Sequence, residues 1–136
     1  IKPGSRVKQL AILQDLAPTL IEIAGGKPAG HIQGRSLLPL LRGGKAAGWR
    51  KSLLVEYWAE NAYPWLVNMT YKAVRTERYK YIHWVNRARN GELDELYDLD
   101  KDPYEMVNIA HRPASRALRE KLHRELRRLA ADALGL

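Results

Sequence analysis

The sequence contains no cysteine. This absence excludes disulfide bonds, thiolate zinc sites and a cysteine nucleophile within these 136 residues. No segment approaches the roughly 18 uncharged apolar residues that a membrane-spanning helix needs. The chain also lacks a charged and then apolar opening of the kind that marks a secretory signal. We therefore expect neither a disulfide framework nor a membrane partner.

The charge of the chain is strongly positive, with 23 Lys and Arg residues against 15 Asp and Glu residues. Basic residues concentrate in residues 112–128, and acidic residues in residues 92–105. A basic helix can bind a polyanion, so one functional hypothesis is a basic module for nucleic acid or sulfated polysaccharide. Against a specific nucleic-acid partner, the sequence has neither an aromatic RNA-binding pair in a basic surround nor a glycine-rich phosphate loop.

Two short helices are predicted in the first third of the chain. Asp15 precedes the apolar segment LAPTLIEIA and is typical of a helix cap, and Ser36 takes the same position before LLPLLR. Glycine pairs at residues 25–26 and 43–44 are expected to end these helices, the second of which is roughly six residues long. The preceding residues 1–13 contain a short apolar run that predicts a strand.

The middle of the sequence predicts an antiparallel meander. The segment LLVEYW reads as one strand, and YKAVRTERYKYIHW reads as two strands joined near Glu77. Asn90 and Gly91 supply a turn before a fourth strand, ELYDL, in which Tyr97 and Leu99 are expected to point inward.

A long amphipathic helix is predicted after Pro113. One side of it carries a stripe of leucines, Leu118, Leu122, Leu126, Leu129 and Leu134. Packing that stripe on the sheet gives an α+β fold, with about four antiparallel strands covered by a long C-terminal helix. His123 is on this helix and is expected to be solvated, and none of the four histidines has the spacing of a zinc site.

The acidic stretch ELYDLDKDPYEMVNIA places Asp98, Asp100 and Asp102 at alternate positions. A calcium loop uses this spacing, but it also requires a glycine at its sixth position and a closing glutamate at its twelfth. Here those positions hold Pro103 and Ile109. The residues instead predict a strand end followed by a helix N-terminus, with Asp102 and Glu105 forming a capping box.

Three blocks of the sequence resemble, in order and spacing, the C-terminal part of type I sulfatases of the alkaline phosphatase superfamily. They are QDLAPTLIEIAGGKPAGHIQGRSLLPLLRG, VRTERYKYIHW and ELYDLDKDPYEMVNIA. The resemblance implies that residues 1–50 form the edge of a large catalytic α/β domain and that residues 51–136 form a small C-terminal subdomain. It also implies sulfate ester hydrolysis by the intact enzyme, with a phosphatase or phosphonate hydrolase of the same superfamily as the alternative.

The catalytic groups of that family are not expected in these residues. The resemblance implies a formylglycine, made from the first residue of a C-x-P-S-R or S-x-P-S-R motif, and a calcium ion held by Asp and Asn side chains. No such motif occurs in the sequence. We therefore assign no catalytic or metal-binding residue, and we expect this segment alone to be inactive.

The segment is expected to contribute to the rim of the substrate pocket. His31 and Arg35 lie in a loop near the place where the family forms its entrance, and Trp58, Tyr63 and Trp65 could stack on a sugar or aryl ring. The implied partners are the N-terminal catalytic domain and a sulfated small molecule or sugar. Self-association is also expected if the apolar side of the first helix has no other cover.

Overall fold

The computed structural model describes residues 3–4, 6–44, 47–58, 69–85 and 93–134. The chain divides into two compact units, Ile1–Lys51 and Ser52–Leu136. The first unit contains short helices, and the second contains an antiparallel sheet and a long helix. Within the described ranges, no helix is both long enough and apolar enough to span a membrane.

Helix α1 of the first unit spans Leu16–Ile23 and follows a 3-10 turn at Leu13–Asp15, and helix α2 spans Leu38–Leu41. Gly25 and Gly43 follow these helices with φ values of 79° and 78°. A left-handed backbone of this kind favours glycine, so the predicted glycine helix ends are confirmed. Helix α2 is shorter than predicted, with four residues.

The strand predicted within residues 1–13 is absent from the described part of that segment. Ile12 has an extended backbone, but its N–H donates to the Asp15 carboxylate at 2.9 Å. The carbonyl of Leu10 accepts the indole N–H of Trp49 at 2.8 Å. These backbone groups are bonded to side chains, and the described part of the first unit offers no second strand to pair with.

Asp15 is completely buried and joins distant segments of the first unit. Its carboxylate accepts the backbone N–H of Arg35 at 2.9 Å and both terminal nitrogens of Arg50, one of them at 2.7 Å. Gly34 permits this approach, because a Cβ atom there would overlap the carbonyl oxygen of Gln14. Burial raises the pKa of Asp15, but the hydrogen bonds from Arg50 and the backbone outweigh it and hold the pKa below its usual value.

The prediction that Asp15 caps α1 is therefore wrong, because its carboxylate binds other groups. Asp15 precedes α1, but its own backbone is helical and its carboxylate makes no hydrogen bond to that helix. An N-cap residue needs extended backbone angles to turn its side chain onto the first helical N–H groups. Ser36, in contrast, accepts the N–H of Leu38 at 3.2 Å.

The sheet of the second unit contains β1 (Ser52–Tyr57), β2 (Tyr71–Thr76), β3 (Tyr79–Trp84) and β4 (Glu95–Asp98), in the order β1-β2-β3-β4. All neighbouring strands are antiparallel. The predicted meander and the turn at Glu77 are confirmed, whereas the turn predicted at residues 90–91 lies outside the described residues.

Helix α3 spans Arg116–Leu134 and covers one face of this sheet. The core consists of residues from three strands, the loop before the helix and the helix itself: Val74, Tyr81, Leu96, Ala110, Leu122 and Leu126. Leu118 and Leu129 pack against its margin. The predicted α+β fold is thus confirmed, as is the leucine stripe from Leu118 to Leu129, whereas the side chain of Leu134 lies outside the described residues.

The inward residues predicted in β4 are displaced by one position. Leu96 is completely buried, so Tyr97 points to the opposite face of the sheet, where its hydroxyl donates to Glu95 at 2.7 Å. Leu99 lies beyond the strand, and its N–H donates to the Arg78 carbonyl at 2.8 Å. The prediction took Asp98 as an outward residue. In the structure the strand ends at Asp98, and Asp98 lies on the same side of the strand as the buried Leu96.

The acidic stretch forms a turn and not the predicted helix N-terminus. Asp98 pairs with Arg78, with Nη2 and Oδ2 separated by 2.6 Å. Asp102 accepts the N–H groups of Met106 and Val107 at 3.0 and 2.8 Å. Glu105 has a φ of 58°, a left-handed value that interrupts any helix, and its carboxylate pairs with Lys80.

The packing of α3 on the sheet gives a first prediction. Leu122 is 4% exposed and lies in the core, and Leu122→Asp should lower the free energy of unfolding by about 3 kcal/mol, because it buries a charge without a partner. Arg124 lies on the exposed side of the same helix, so Arg124→Ala should change it by less than about 0.5 kcal/mol. Urea unfolding followed by circular dichroism measures both values. Equal, small effects would contradict this packing.

A second prediction concerns the turn at Asp102. Asp102→Ala removes two acceptors for backbone N–H groups and should cost about 1 kcal/mol of unfolding free energy, with calcium or without it. Thermal unfolding of both chains, with calcium and with a chelator, provides the measurement. If calcium raised the melting temperature of the native chain and not of the variant, Asp102 would be a metal ligand.

Candidate functional site

The residues predicted to form a pocket rim are distributed over both units. In the first unit His31 is exposed, and Arg35 donates from Nη1 to the Gly48 carbonyl at 2.9 Å. In the second unit Trp58 is 64% exposed, and the Lys72 ammonium lies 5.3 Å from the centre of its ring. Tyr63 and Trp65 lie outside the described residues. The rim assignment of all five remains a prediction.

A cluster of polar side chains that the sequence did not predict lies between α3 and the sheet. Tyr81 and His83 stand two residues apart on β3, so both face the helix. Asp94, just before β4, is 4% exposed and accepts the Tyr81 hydroxyl and the Nδ1–H of His83, the latter at 2.8 Å. His123 of α3 completes the cluster, with its Nδ1 3.1 Å from the Tyr81 oxygen.

The hydrogen bonds fix where the protons lie. The pKa of Asp94 would be raised by burial, but the hydrogen bonds from His83 and Tyr81 hold it below its usual value, so the group is a carboxylate. A carboxylate can only accept hydrogen bonds, so the single hydroxyl proton of Tyr81 is donated to Asp94. His123 must then donate from Nδ1 to the tyrosine oxygen. Both histidines carry their proton on Nδ1, which leaves each Nε2 without a partner among the described residues.

The expectation that His123 is solvated is thus wrong. Its ring lies edge-on to His83, with ring centres 5.1 Å apart, and it is half-buried. Burial and the neighbouring His83 hold the pKa of His123 below its usual value. The sequence pattern placed His123 on the terminal helix, but only the position of β3 shows that a tyrosine and a second histidine contact it.

The two histidines line a pocket of about 410 Å³ at the C-terminal half of α3. Leu126, Ala130 and Ala131 form its apolar wall. Lys72 and Arg127 supply two positive charges. Lys72 pairs with Glu56 at 3.0 Å, whereas Arg127 makes no ion pair with any described residue. Four of the seven lining side chains are therefore cationic or can accept a proton, and the other three are apolar.

The described residues do not fit the calcium ion and the formylglycine that the sulfatase resemblance implies. No group of three or more His, Asp or Glu side chains in the described ranges is arranged to hold a metal ion. The most acidic stretch is occupied, since Asp98 binds Arg78 and Asp102 binds backbone N–H groups. The sequence has neither a cysteine nor a serine in the required motif.

Comparison with known proteins identifies the chain. The family model described as N-sulphoglucosamine sulphohydrolase, C-terminal, matches residues 1–132. An ulvan-active sulfatase of Formosa agariphila is 32% identical over 93% of this chain and 30% of its own length. An N-acetylglucosamine-6-O-sulfatase of Bacteroides thetaiotaomicron is 37% identical over 80% of the chain. The chain spans less than a third of the length of either relative, 30% and 19%.

Solved structures agree with these matches. A protein solved in complex with its substrate D-glucosamine-2-N,6-O-disulfate superposes with a TM-score of 0.70 at 31% identity, over 84% of this chain and 22% of its own. The phosphonate monoester hydrolase of Agrobacterium radiobacter superposes with a TM-score of 0.76 at 29% identity, over 95% of this chain and 26% of its own. The four-stranded sheet, its long helix and the matched family model lead to one conclusion: the chain belongs to the C-terminal region of the sulfatases, within the alkaline phosphatase superfamily.

Proposed function

We propose that the protein to which this chain belongs hydrolyses sulfate esters and that this chain forms its C-terminal part. The family match over residues 1–132 is the observation that carries the proposal. Sulfatases with 32% and 37% identity support it. The neighbour solved with a disulfated glucosamine supports a sulfated sugar as the substrate class.

In this proposal the chain supports the catalytic domain and does not contain the catalytic residues. Its residues offer no formylglycine precursor and no metal cluster in the described ranges. The formylglycine and the calcium ion are therefore expected in the catalytic domain of the intact enzyme. His31, Arg35, Trp58, Tyr63 and Trp65 are proposed as individual contributors to the rim of the substrate pocket of the intact enzyme, and the 64% exposed Trp58 offers a ring face for stacking.

The apolar side of α1 supports a catalytic domain as the main partner. Leu16, Leu20 and Ile23 are all exposed, with Leu20 at 63%. An apolar stripe of this kind rarely stays in contact with water on a soluble protein, since burying it is worth about 25 cal/mol per Å². We expect the large sheet of the catalytic domain to cover this side, and we expect self-association of the chain when that domain is absent.

A phosphonate or phosphate ester hydrolase is the second candidate. The superposition with a phosphonate monoester hydrolase at a TM-score of 0.76 favours it specifically. Sulfate and phosphonate monoesters both present a tetrahedral, negatively charged centre, so the C-terminal part can be shared by enzymes with either substrate. The sulfatase relatives make sulfate esters the first choice.

The activity of the intact protein and of this chain provides a third prediction. The intact protein should release sulfate from an aryl sulfate or a sulfated sugar, and replacement of its formylglycine precursor should abolish that release. The chain of residues 1–136 should show no release above buffer, with calcium added or not. Sulfate detection by ion chromatography, with a phenyl phosphonate ester assayed in parallel, distinguishes the two candidates. Turnover by the chain alone, lost on mutation of one of its own residues, would contradict its supporting role.

The rim assignment gives a fourth prediction. In the intact enzyme Trp58→Ala should raise KM for a sulfated sugar roughly fivefold, because stacking on a ring is worth about 1 kcal/mol, and should leave kcat nearly unchanged. Trp58→Tyr keeps an aromatic face and should restore most of the affinity. A loss of kcat without a change in KM, or equal losses in both variants, would remove Trp58 from the rim.

A further inference from the structure

The pocket beside α3 brings together four nitrogen-bearing side chains that no function above uses: Lys72, His83, His123 and Arg127. Lys72 is on β2, His83 is on β3, and His123 and Arg127 are four residues apart on α3. Only the folded unit therefore brings them together. Arg127 has no ion-pair partner among the described residues, and the guanidinium group is a strong donor to oxyanions.

The two histidines are held ready to accept a second proton. Asp94 fixes His83 through Nδ1, and the Tyr81 oxygen fixes His123 through Nδ1, so any further proton must bind at Nε2. Protonation converts each Nε2 from an acceptor into a donor and adds a positive charge to the pocket. The rings cannot rotate freely while these hydrogen bonds persist, and the protein thus settles the orientation before a ligand arrives.

We propose that this pocket binds a tetrahedral oxyanion, either free inorganic sulfate or a sulfate group carried by a sugar, and takes up a proton on the histidine pair as it does so. Arg127 and Lys72 supply the permanent charge, and the Nε2 atoms of His83 and His123 become donors to the anion. The apolar wall of Leu126 and Ala130 excludes water from one side and strengthens these charged hydrogen bonds.

The binding depends on pH because several charged groups face the histidines. From the sheet side and the loop before β4 the charged groups are Asp94 and Lys72, which is paired with Glu56, while the titratable Tyr81 hydroxyl is neutral; from α3 they are Arg119 and Arg127. Burial, His83, Arg127 and Arg119 oppose protonation of His123, whereas Asp94 favours it. An anion neutralises this opposition. Affinity should therefore rise as pH falls toward the range in which His123 protonates, and sulfate should raise the pKa of His123.

The same groups argue against a metal ion. Two imidazoles with Nδ1–H held by an acceptor resemble a metal site in their outer hydrogen bonds. However, no third ligand joins them in the described residues, and the two cationic side chains would repel a divalent ion. An oxyanion satisfies the cations and the protonated rings together.

The proposal does not depend on hydrolysis, because it is tested by binding to this chain alone. The test is a titration of the uniformly ¹⁵N-labelled chain with sodium sulfate at about pH 5.5 and about pH 8, followed through the imidazole nitrogen signals. Sodium chloride at equal ionic strength is the reference for general charge screening. Glucose 6-sulfate, with glucose as its neutral match, distinguishes a sugar-borne sulfate from the free ion.

The proposal predicts that sulfate shifts the His83 and His123 signals and binds at least about tenfold more tightly at the lower pH. Arg127→Gln should weaken sulfate about tenfold, whereas Arg124→Gln, which removes the same charge from the exposed side of α3, should change affinity less than about twofold. Both arginines are exposed, so both variants should keep the melting temperature of the native chain. Equal shifts with chloride, equal losses in the two variants, or affinity that does not change with pH would each overturn it. Tighter binding of glucose 6-sulfate than of sulfate, without binding of glucose, would assign the pocket to a sugar-borne group.

Discussion

The hydrogen bond from the Tyr81 hydroxyl to Asp94 links the apolar core of the second unit to its polar end. Tyr81 is completely buried, and its ring packs with Val74, Leu96 and the leucines of α3. A tyrosine at that depth needs a partner for its hydroxyl, because an unsatisfied buried group costs about 1 to 3 kcal/mol. Asp94 accepts the hydrogen bond from this hydroxyl. It is itself a buried charge, and a buried carboxylate requires several hydrogen-bond donors. Burial raises the pKa of the Tyr81 hydroxyl, and its hydrogen bond to Asp94 raises it further, so it stays protonated.

The remaining members of the cluster follow from this one interaction. His83 provides the second donor that Asp94 requires, and Asn108 holds the backbone of Asp94 by donating to its carbonyl at 3.1 Å. Since Tyr81 has no proton left, His123 can only donate to it. The orientation of both imidazoles is thereby set by the demands of a packed core, and the pocket that they line is a consequence of how that core is satisfied.

The first unit uses the same physical device at Asp15. A completely buried carboxylate is bound by Arg50 and by backbone N–H groups of Ile12 and Arg35, so segments far apart in sequence are held together. Removing one partner of such a pair leaves an uncompensated buried charge, which typically costs about 3 to 5 kcal/mol. In the acidic stretch of the second unit, Asp98 pairs with Arg78 of the turn between β2 and β3, and Asp102 binds backbone N–H groups of its own turn. The two buried aspartates, Asp15 and Asp94, each join segments that are distant in sequence.

Sequence patterns by themselves determined the elements whose signals are local. Strand alternation and the leucine spacing of residues 118–129 predicted the meander and the covering helix, because periodicity records directly which side of an element is buried. Three blocks in order identified the family. Local rules failed at residues 1–13 and at Asp15, where the distant Trp49 and Arg50 bind the Leu10 carbonyl and the Asp15 carboxylate. They also failed at the inward position of β4 and at the turn after Asp102, whose left-handed Glu105 pairs with the distant Lys80. The grouping of Lys72, His83, Asp94, His123 and Arg127 was likewise decided only by tertiary structure. These residues come from three strands or their margins and a helix, and no spacing along the chain encodes a hydrogen-bond network that exists only after the helix has packed on the sheet.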